Sequence, residues 1–393
     1  MFTDEIKLCI EKYYPKGVEL RRHIHRYPEL SEQETETSAL VADTLGKAGI
    51  ETRTGIGGTG VLGIVRGGKP GKTVLLRADM DALALDEAAE VPYRSERPGV
   101  MHACGHDGHT AALLMAGMAL NDLRDRLPGN VKLMFQPAEE TVGGAERMIE
   151  AGILENPRVD AAFGCHLWGD VEEGTVLVKA GPVMASPDEF RITIRGAGGH
   201  GAMPQLAVDP IPLAAHVILQ FQTIVSRRKD PIDPAVLSVC TVRGGDNTYN
   251  VIPETVDMRG TIRTFNEDLR GFIPREMEKV LQGLTSAAGA SYTFDVTRRF
   301  PPLVNDEAAT ALVRKSAEKI VGPDRVREAT PGMGGEDFAC LAKKVPASFF
   351  FVGIARNGIP AVHHSPYFKW DEGVLRVVAA CLCQTAVDFL QGF

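Results

Sequence analysis

Between residues 189 and 296 the apolar periods run strand, helix, strand, strand, helix, strand. That order cannot be one more layer of the sequence around it. Residues 189–195 alternate strictly, with Phe190, Ile192 and Ile194 set against Arg191, Thr193 and Arg195, the period of a half-buried strand. A helix follows from Pro210 to about Val225, then alternating strands over 235–242 and 255–263. A second helix over about 268–288 and a strand over 291–296 complete the run. This is the β-α-β-β-α-β unit of ferredoxin-like domains, and at about 110 residues it is large enough to be a domain. The flanks read differently. Helices are expected over 4–26, from a Ser31/Glu34 capping box to about Gly49, and over 110–123. Short apolar strands are expected over 60–65 and 72–77, joined by Gly-Gly-Lys-Pro-Gly, and over 131–136 and 161–166. Helix–strand alternation returns after Pro301-Pro302. The flanks therefore describe an α/β domain on a mostly parallel sheet with helices on both faces. The expected organisation is a discontinuous α/β domain, 1–182 and 297–393, interrupted by an α+β domain over 183–296.

Composition narrows the function classes. A formal net charge of −8 opposes a nucleic-acid role, because phosphate binding wants a basic face. No run of 18 apolar residues is present, so no membrane partner is expected. The N-terminus lacks a basic segment followed by an apolar core, so no secretory signal is expected. Seven cysteines without small-scaffold spacing read as free thiols of a reducing, cytoplasmic compartment.

The chemistry concentrates in His102-Ala-Cys-Gly-His-Asp-Gly-His109. Thiolate, imidazole and carboxylate are the usual ligands of zinc and its neighbours. A structural zinc site would add a second Cys-x-x-Cys pair, and none is present. Further candidates are scattered downstream instead, as in a catalytic site assembled from several loop ends. Cys104 and His106, two apart around Gly105, can turn to one side just before the 110–123 helix. Asp79 and Asp81 follow the 72–77 strand, at the end of an α/β sheet where sites lie. Glu139 and Glu140 follow the 131–136 strand. Being adjacent they point differently, so one can bind metal while the other meets substrate. His166 ends the 161–166 strand, and His363-His364 lie in a late loop. Singly, each is equally explained by a helix cap, a solvated turn or a packed imidazole; together they are not. Gly196-Ala-Gly-Gly-His200 permits close backbone approach to a ligand, but it lacks the context of a nucleotide loop.

In order along the chain stand Arg-Ala-Asp-Met-Asp-Ala-Leu (77–83), the 102–109 cluster, Gln-Pro-Ala-Glu-Glu (136–140), His166 and Gly-Gly-His-Gly-Ala-Met-Pro (198–204). Asn-Val-Ile-Pro-Glu (250–254), Gly-Glu-Asp-Phe (335–338) and His-Ser-Pro (364–366) follow. This series resembles the M20 metallopeptidase family across essentially the whole chain. It is most similar to the amidohydrolase branch: hippurate hydrolases, N-acyl-amino-acid amidohydrolases and auxin-conjugate hydrolases. The resemblance implies two divalent metal ions (Mn, Zn or Co) held by Cys104, His106, Glu140, His166 and His364. It implies Glu139 as general base, Asp81 as its supporting aspartate, and His200, Asn250 and Arg259 as substrate contacts from the inserted domain. It also implies a dinuclear-metal hydrolase fold, an N-acyl amino acid substrate, and a homodimer or homotetramer joined through the insertion. Three positions depart from the family's pattern: His363, where an apolar residue is usual; Gln205, for a histidine; and Gly334-Gly335, for Gly-Ser.

The expected reaction is metal-assisted amide hydrolysis, with the insertion closing about hinges near 180–184 and 296–301. A dipeptidase or carboxypeptidase of the same fold is the competing enzyme reading. Cys104 favours the amidohydrolase branch over it. A metal-binding relative without catalysis is the third, and the retention of both Glu139 and Glu140 speaks against it.

Overall fold

The computed structural model describes residues 2–141, 143–246 and 248–392. Two compact units emerge: Met1–Gly181 with Val304–Thr330 and Asp337–Phe393, and Pro182–Leu303 with Pro331–Glu336. The second unit thus takes in more chain than the 183–296 reading. Arg299 N donates to Asp188 and Ala185 N donates to Gly334 O, so its own hydrogen bonds hold the added segments.

The first unit is built on an eight-stranded sheet. Its order is Glu51–Ile56, Gly60–Arg66, Pro128–Gln136, Lys69–Asp79, Ala161–Glu172, Ala347–Ala355, Val176–Val178, Val326–Glu328. The central four strands are mutually parallel. All nine residues of Ala347–Ala355 are buried, as a strand covered on both faces requires. Helix His106–Asp122 is buried from His106 through Asn121, so it is a core element with no solvent face. Helix Val374–Gln391 is long and apolar enough to cross a membrane, but 78% of it is buried within the first unit's core.

Four local readings change. The strands 60–65 and 72–77 do not pair, because Pro128–Gln136 lies between them, with Leu133 opposite both Gly63 and Leu76. The insertion is possible because Gly129 sits at φ +90°, where an added Cβ would meet Lys72 O at 1.9 Å. The edge strand Glu51–Ile56 was not expected; its Glu-Thr-Arg-Thr sequence has no apolar alternation. Helix His106–Asp122 begins four residues early, which makes His106 a first-turn residue and not a loop residue. Finally, Ser31 and Glu34 form no capping box. Helix Thr35–Lys47 has no side-chain cap from Glu34. Glu29 caps it instead, accepting from Glu36 N at 3.1 Å and Thr37 N at 2.8 Å.

The second unit is a four-stranded antiparallel sheet in the order Ala235–Gly244, Thr255–Thr264, Ser186–Arg195, Ser291–Thr297. Phe190, Ile192, Ile194, Val256, Met258 and Ile262 face helices Pro210–Thr223 and Glu267–Ala288. Asp209 and Asn266 cap those helices, each accepting a first-turn amide. This is the ferredoxin-like order, and it leaves one sheet face free of helices.

Candidate metal centre and active site

Gly105, at φ +94°, turns the chain sharply into helix His106–Asp122, and Cys104 and His106 flank it. His166 does not end its strand, which continues to Glu172. Its Nδ1–H donates to Leu167 O at 2.5 Å, which leaves Nε2 unprotonated and 3.4 Å from Cys104 Sγ. Asp81 Oδ1 holds His106 Nδ1 at 3.2 Å, so His106 also presents Nε2. Glu140 N donates to Asp81 Oδ2 at 3.0 Å, and Glu140 Oε1 lies 3.8 Å from His106 Nε2. His364, at φ +57°, donates its backbone N–H to Ala103 O at 2.9 Å. Its Nε2 reaches to 3.4 Å from Glu140 Oε1.

These side chains form overlapping donor groups: Cys104, His106 and His166; Cys104, Glu140 and His364; His106, Glu139 and Glu140. In each group the potential ligand atoms lie within 4.8 Å of one another. All five expected ligands and Glu139 therefore converge, and Cys104 belongs to two groups. The buried atoms His106 Nε2 and Glu140 Oε1 find no hydrogen-bond partner of good geometry. Burial, and then the Glu140 carboxylate, push the Cys104 thiol well up. Burial, with His109 and His363 beside it, pushes His166 well down. A neutral imidazole, a buried thiol that a nearby cation would ionise, and ligand atoms aimed at one space without well-formed hydrogen bonds fit a divalent metal site.

The paired histidines separate by geometry. His363 Nε2 donates to Leu167 O at 3.0 Å, and burial pushes its pKa down to about 4. His364 is the one that faces Glu140.

Residues beyond the expected set hold this arrangement. His109 Nδ1 bonds Asp79 Oδ1 at 2.6 Å, and its Nε2 accepts from Leu167 N at 3.0 Å. Buried Arg77 donates to Asp79, Gln136 and Asp337. Asp107 accepts from Arg21 Nε at 2.7 Å and pairs with His25 Nδ1 at 2.8 Å. Arg21 lies between the Tyr93 and Trp370 rings. Asp337 lies in the Gly-Glu-Asp-Phe motif, from which no role for it followed; Arg21 and His25 carried no sequence signal beyond membership of the 4–26 helix.

His200, Asn250 and Arg259 belong to the second unit. His200 pairs with Val251 in a two-residue ladder, and Asn250 O accepts from Gly201 N, which brings the first two together. Ala202 N donates to His200 Nδ1, so this exposed ring carries its proton on Nε2. Arg259 stands on the helix-free sheet face, in a pocket of 260 Å³ shared with Arg191, Arg243 and Asp257. Four residues on, Arg263 lies on the same face, half-buried, and burial lowers its pKa. No ion pair holds it among the described residues, and sequence reasoning passed it over.

The model of peptidase family M20/M25/M40 matches residues 75–388. The chain belongs to this family. It is 44% identical over 306 residues to the N-acyl-L-amino acid amidohydrolase of Geobacillus stearothermophilus, covering 78% of this chain and 82% of that one. It is 40% identical over 381 residues to thermostable carboxypeptidase 1 of Saccharolobus solfataricus, covering 95% of each. A Bacillus subtilis dinuclear metal-binding peptidase of family M20 shares its structure with a TM-score of 0.85 at 34% identity, over 98% of this chain and 100% of that one. This M20 protein is a metal-dependent hydrolase acting on amides.

Proposed function

We propose that this M20 enzyme hydrolyses the amide bond of N-acyl amino acids, releasing a carboxylic acid and a free amino acid. The observation that carries the reading is Glu139 beside the Cys104–His106–Glu140–His166–His364 donors. Those five side chains would hold two divalent ions, manganese, zinc or cobalt. Bound metal supplies Lewis acidity and lowers the pKa of water from about 15.7 towards about 7. Glu139 takes the proton of the attacking water as the new C–O bond forms, then delivers it to the amine nitrogen as the C–N bond breaks. Asp81 keeps His106 in one tautomer and Glu140 in place. His200 Nε2–H donates to the developing oxyanion, a contact worth about 2.7–4 kcal/mol. Asn250 and Arg259 would meet the free α-carboxylate, and Arg263, on the same face as Arg259, is the alternative guanidinium. The second unit also carries the expected dimer contacts. The free state of all seven cysteines accords with a cytoplasmic enzyme.

Similarity to a carboxypeptidase favours a second reading, peptide cleavage. The test is amino-acid release from N-acetyl and N-benzoyl amino acids against dipeptides, with Mn²⁺, Zn²⁺ or Co²⁺ supplied. N-acyl amino acids are expected to be the better substrates by kcat/KM; preference for dipeptides would overturn the reading. Glu139→Gln should keep its metal and lose about 10²–10⁴-fold in kcat. Arg259→Ala and Arg263→Ala, compared on carboxylated and amide-blocked substrates, show which guanidinium recognises the carboxylate through KM.

A further inference from the structure

Ser31 and Glu34 look locally like a helix cap, yet both carry their bonds towards the catalytic residues. Ser31 Oγ donates to Asp81 Oδ2 at 2.7 Å, the oxygen that also accepts from Glu140 N. Glu34 is fully buried. Its Oε1 accepts from Glu32 N at 3.0 Å and from Ala138 N at 2.8 Å, and its Oε2 accepts from Thr59 Oγ1 at 2.6 Å. Glu32 and Ala138 are both non-glycine residues in the left-handed region, at φ +69° and +54°. Such conformations persist where the surroundings over-determine them. Here a single carboxylate oxygen binds both amides. Ala138 immediately precedes Glu139 and Glu140, so its backbone direction sets where those two carboxylates start.

We propose that Glu34 is a positioning residue for the reaction: it braces the turn 137–140 so that Glu139 and Glu140 face the metal donors. Ser31 braces the other end of the turn through Asp81. The inference rests on the assignment of Glu139 and Glu140 given above. A helix cap would act only on helix Thr35–Lys47, and Glu29 already fills that role. Glu29 and Glu34, two of the three acids in the 27–34 linker, therefore divide the work, one on the helix and one on the site.

The experiment compares Glu34→Asp, Glu34→Gln and Glu29→Ala in the metal-loaded full chain. Each is read for melting temperature, for kcat and KM on an N-acetyl amino acid, and for Mn²⁺ dissociation constant by competition with a chromophoric chelator. Aspartate is one methylene short of Ala138 N. It should lower kcat about 10–100-fold and weaken metal binding by a similar factor, the usual effect of losing a support behind a ligand. Glutamine can still accept from Ala138 and Glu32 and can donate to Thr59 Oγ1, so it should stay within about threefold of wild type on both readouts. Glu29→Ala should lower the melting temperature and leave kcat and metal affinity unchanged. Glu34→Asp that folds and stays within twofold of wild type in both kcat and metal affinity overturns the proposal. So does Glu34→Gln failing as badly as Glu34→Asp. The Glu139→Gln variant separates the two levels: if it retains turnover, the site assignment falls; if it is inactive while Glu34→Asp is normal, only the brace falls.

Discussion

Replacing Asp188 by alanine removes the acceptor at the centre of a buried cluster in the second unit. The carboxylate takes Arg270 Nε at 2.6 Å, Arg270 Nη2 at 2.7 Å and Arg299 N at 3.0 Å. Asp188 is 1% exposed and Arg270 4%, so the orphaned guanidinium could not recover its hydration. It would keep Glu267 Oε1 at 3.2 Å and Arg299 O at 2.9 Å, which soften the loss without cancelling it. Breaking a buried pair from one side costs about 3–5 kcal/mol, out of the roughly 5–15 kcal/mol that typically holds a domain. Replacing both members at once, with Asp188→Leu and Arg270→Met, removes the stranded charge, and should recover most of the loss. Urea unfolding is the assay. The two tryptophans, Trp168 and Trp370, both lie in the first unit, so far-UV circular dichroism must report the second. A loss below about 1 kcal/mol for Asp188→Ala, or a double variant no better than the single, would refute the argument that desolvation makes this pair costly to break.

Three further outcomes are expected. Cys104→Ala should lower metal content of the purified protein, measured by atomic emission, because the thiol belongs to two donor groups; unchanged occupancy removes it as a ligand. Lys132 is fully buried, donates to Ile153 O and Glu155 O, and has its pKa pushed down by burial to about 8 from 10.5. Its depressed value means the unfolded chain binds more protons between pH 8 and 10.5, so wild type should gain up to about 3 kcal/mol over Lys132→Met as pH rises through that window. A flat difference in urea midpoints across it contradicts this. Gly129→Ala, blocked by Lys72 O and by its φ of +90°, should cost about 3 kcal/mol in urea titration, and a neutral effect would mean that the strand insertion tolerates a side chain.

The parts of the fold that could be read locally were those with a strong apolar period. The inner strands are apolar runs because both their faces are covered, and residues 189–195 alternate because one sheet face lies on helices and the other does not. Glu51–Ile56 escaped because an edge strand needs only backbone partners. The placing of Pro128–Gln136 between two strands that precede it in sequence has no local signal either. Within the site, the residue types that bind metal were visible as a cluster, but their supports were not. Arg21 and Asp107 are 86 residues apart, and Arg77 and Asp337 are 260 apart.

Ser31 and Glu34 show where the boundary falls. Their spacing satisfies the local rule for a capping box, and local rules compare only local partners. In the folded chain Glu34 finds Ala138 N 104 residues away and Ser31 finds Asp81, while Glu29 takes the helix amides. Chemistry of residue type and period of burial are properties of the sequence alone, and they determined the α/β class, the inserted α+β pattern and the pool of candidate donors, from which the resemblance to the M20 family singled out five. Which polar group pairs with which buried partner is decided only in the tertiary structure. There each buried donor and acceptor must be satisfied at once, and the nearest partner in space need not be near in sequence.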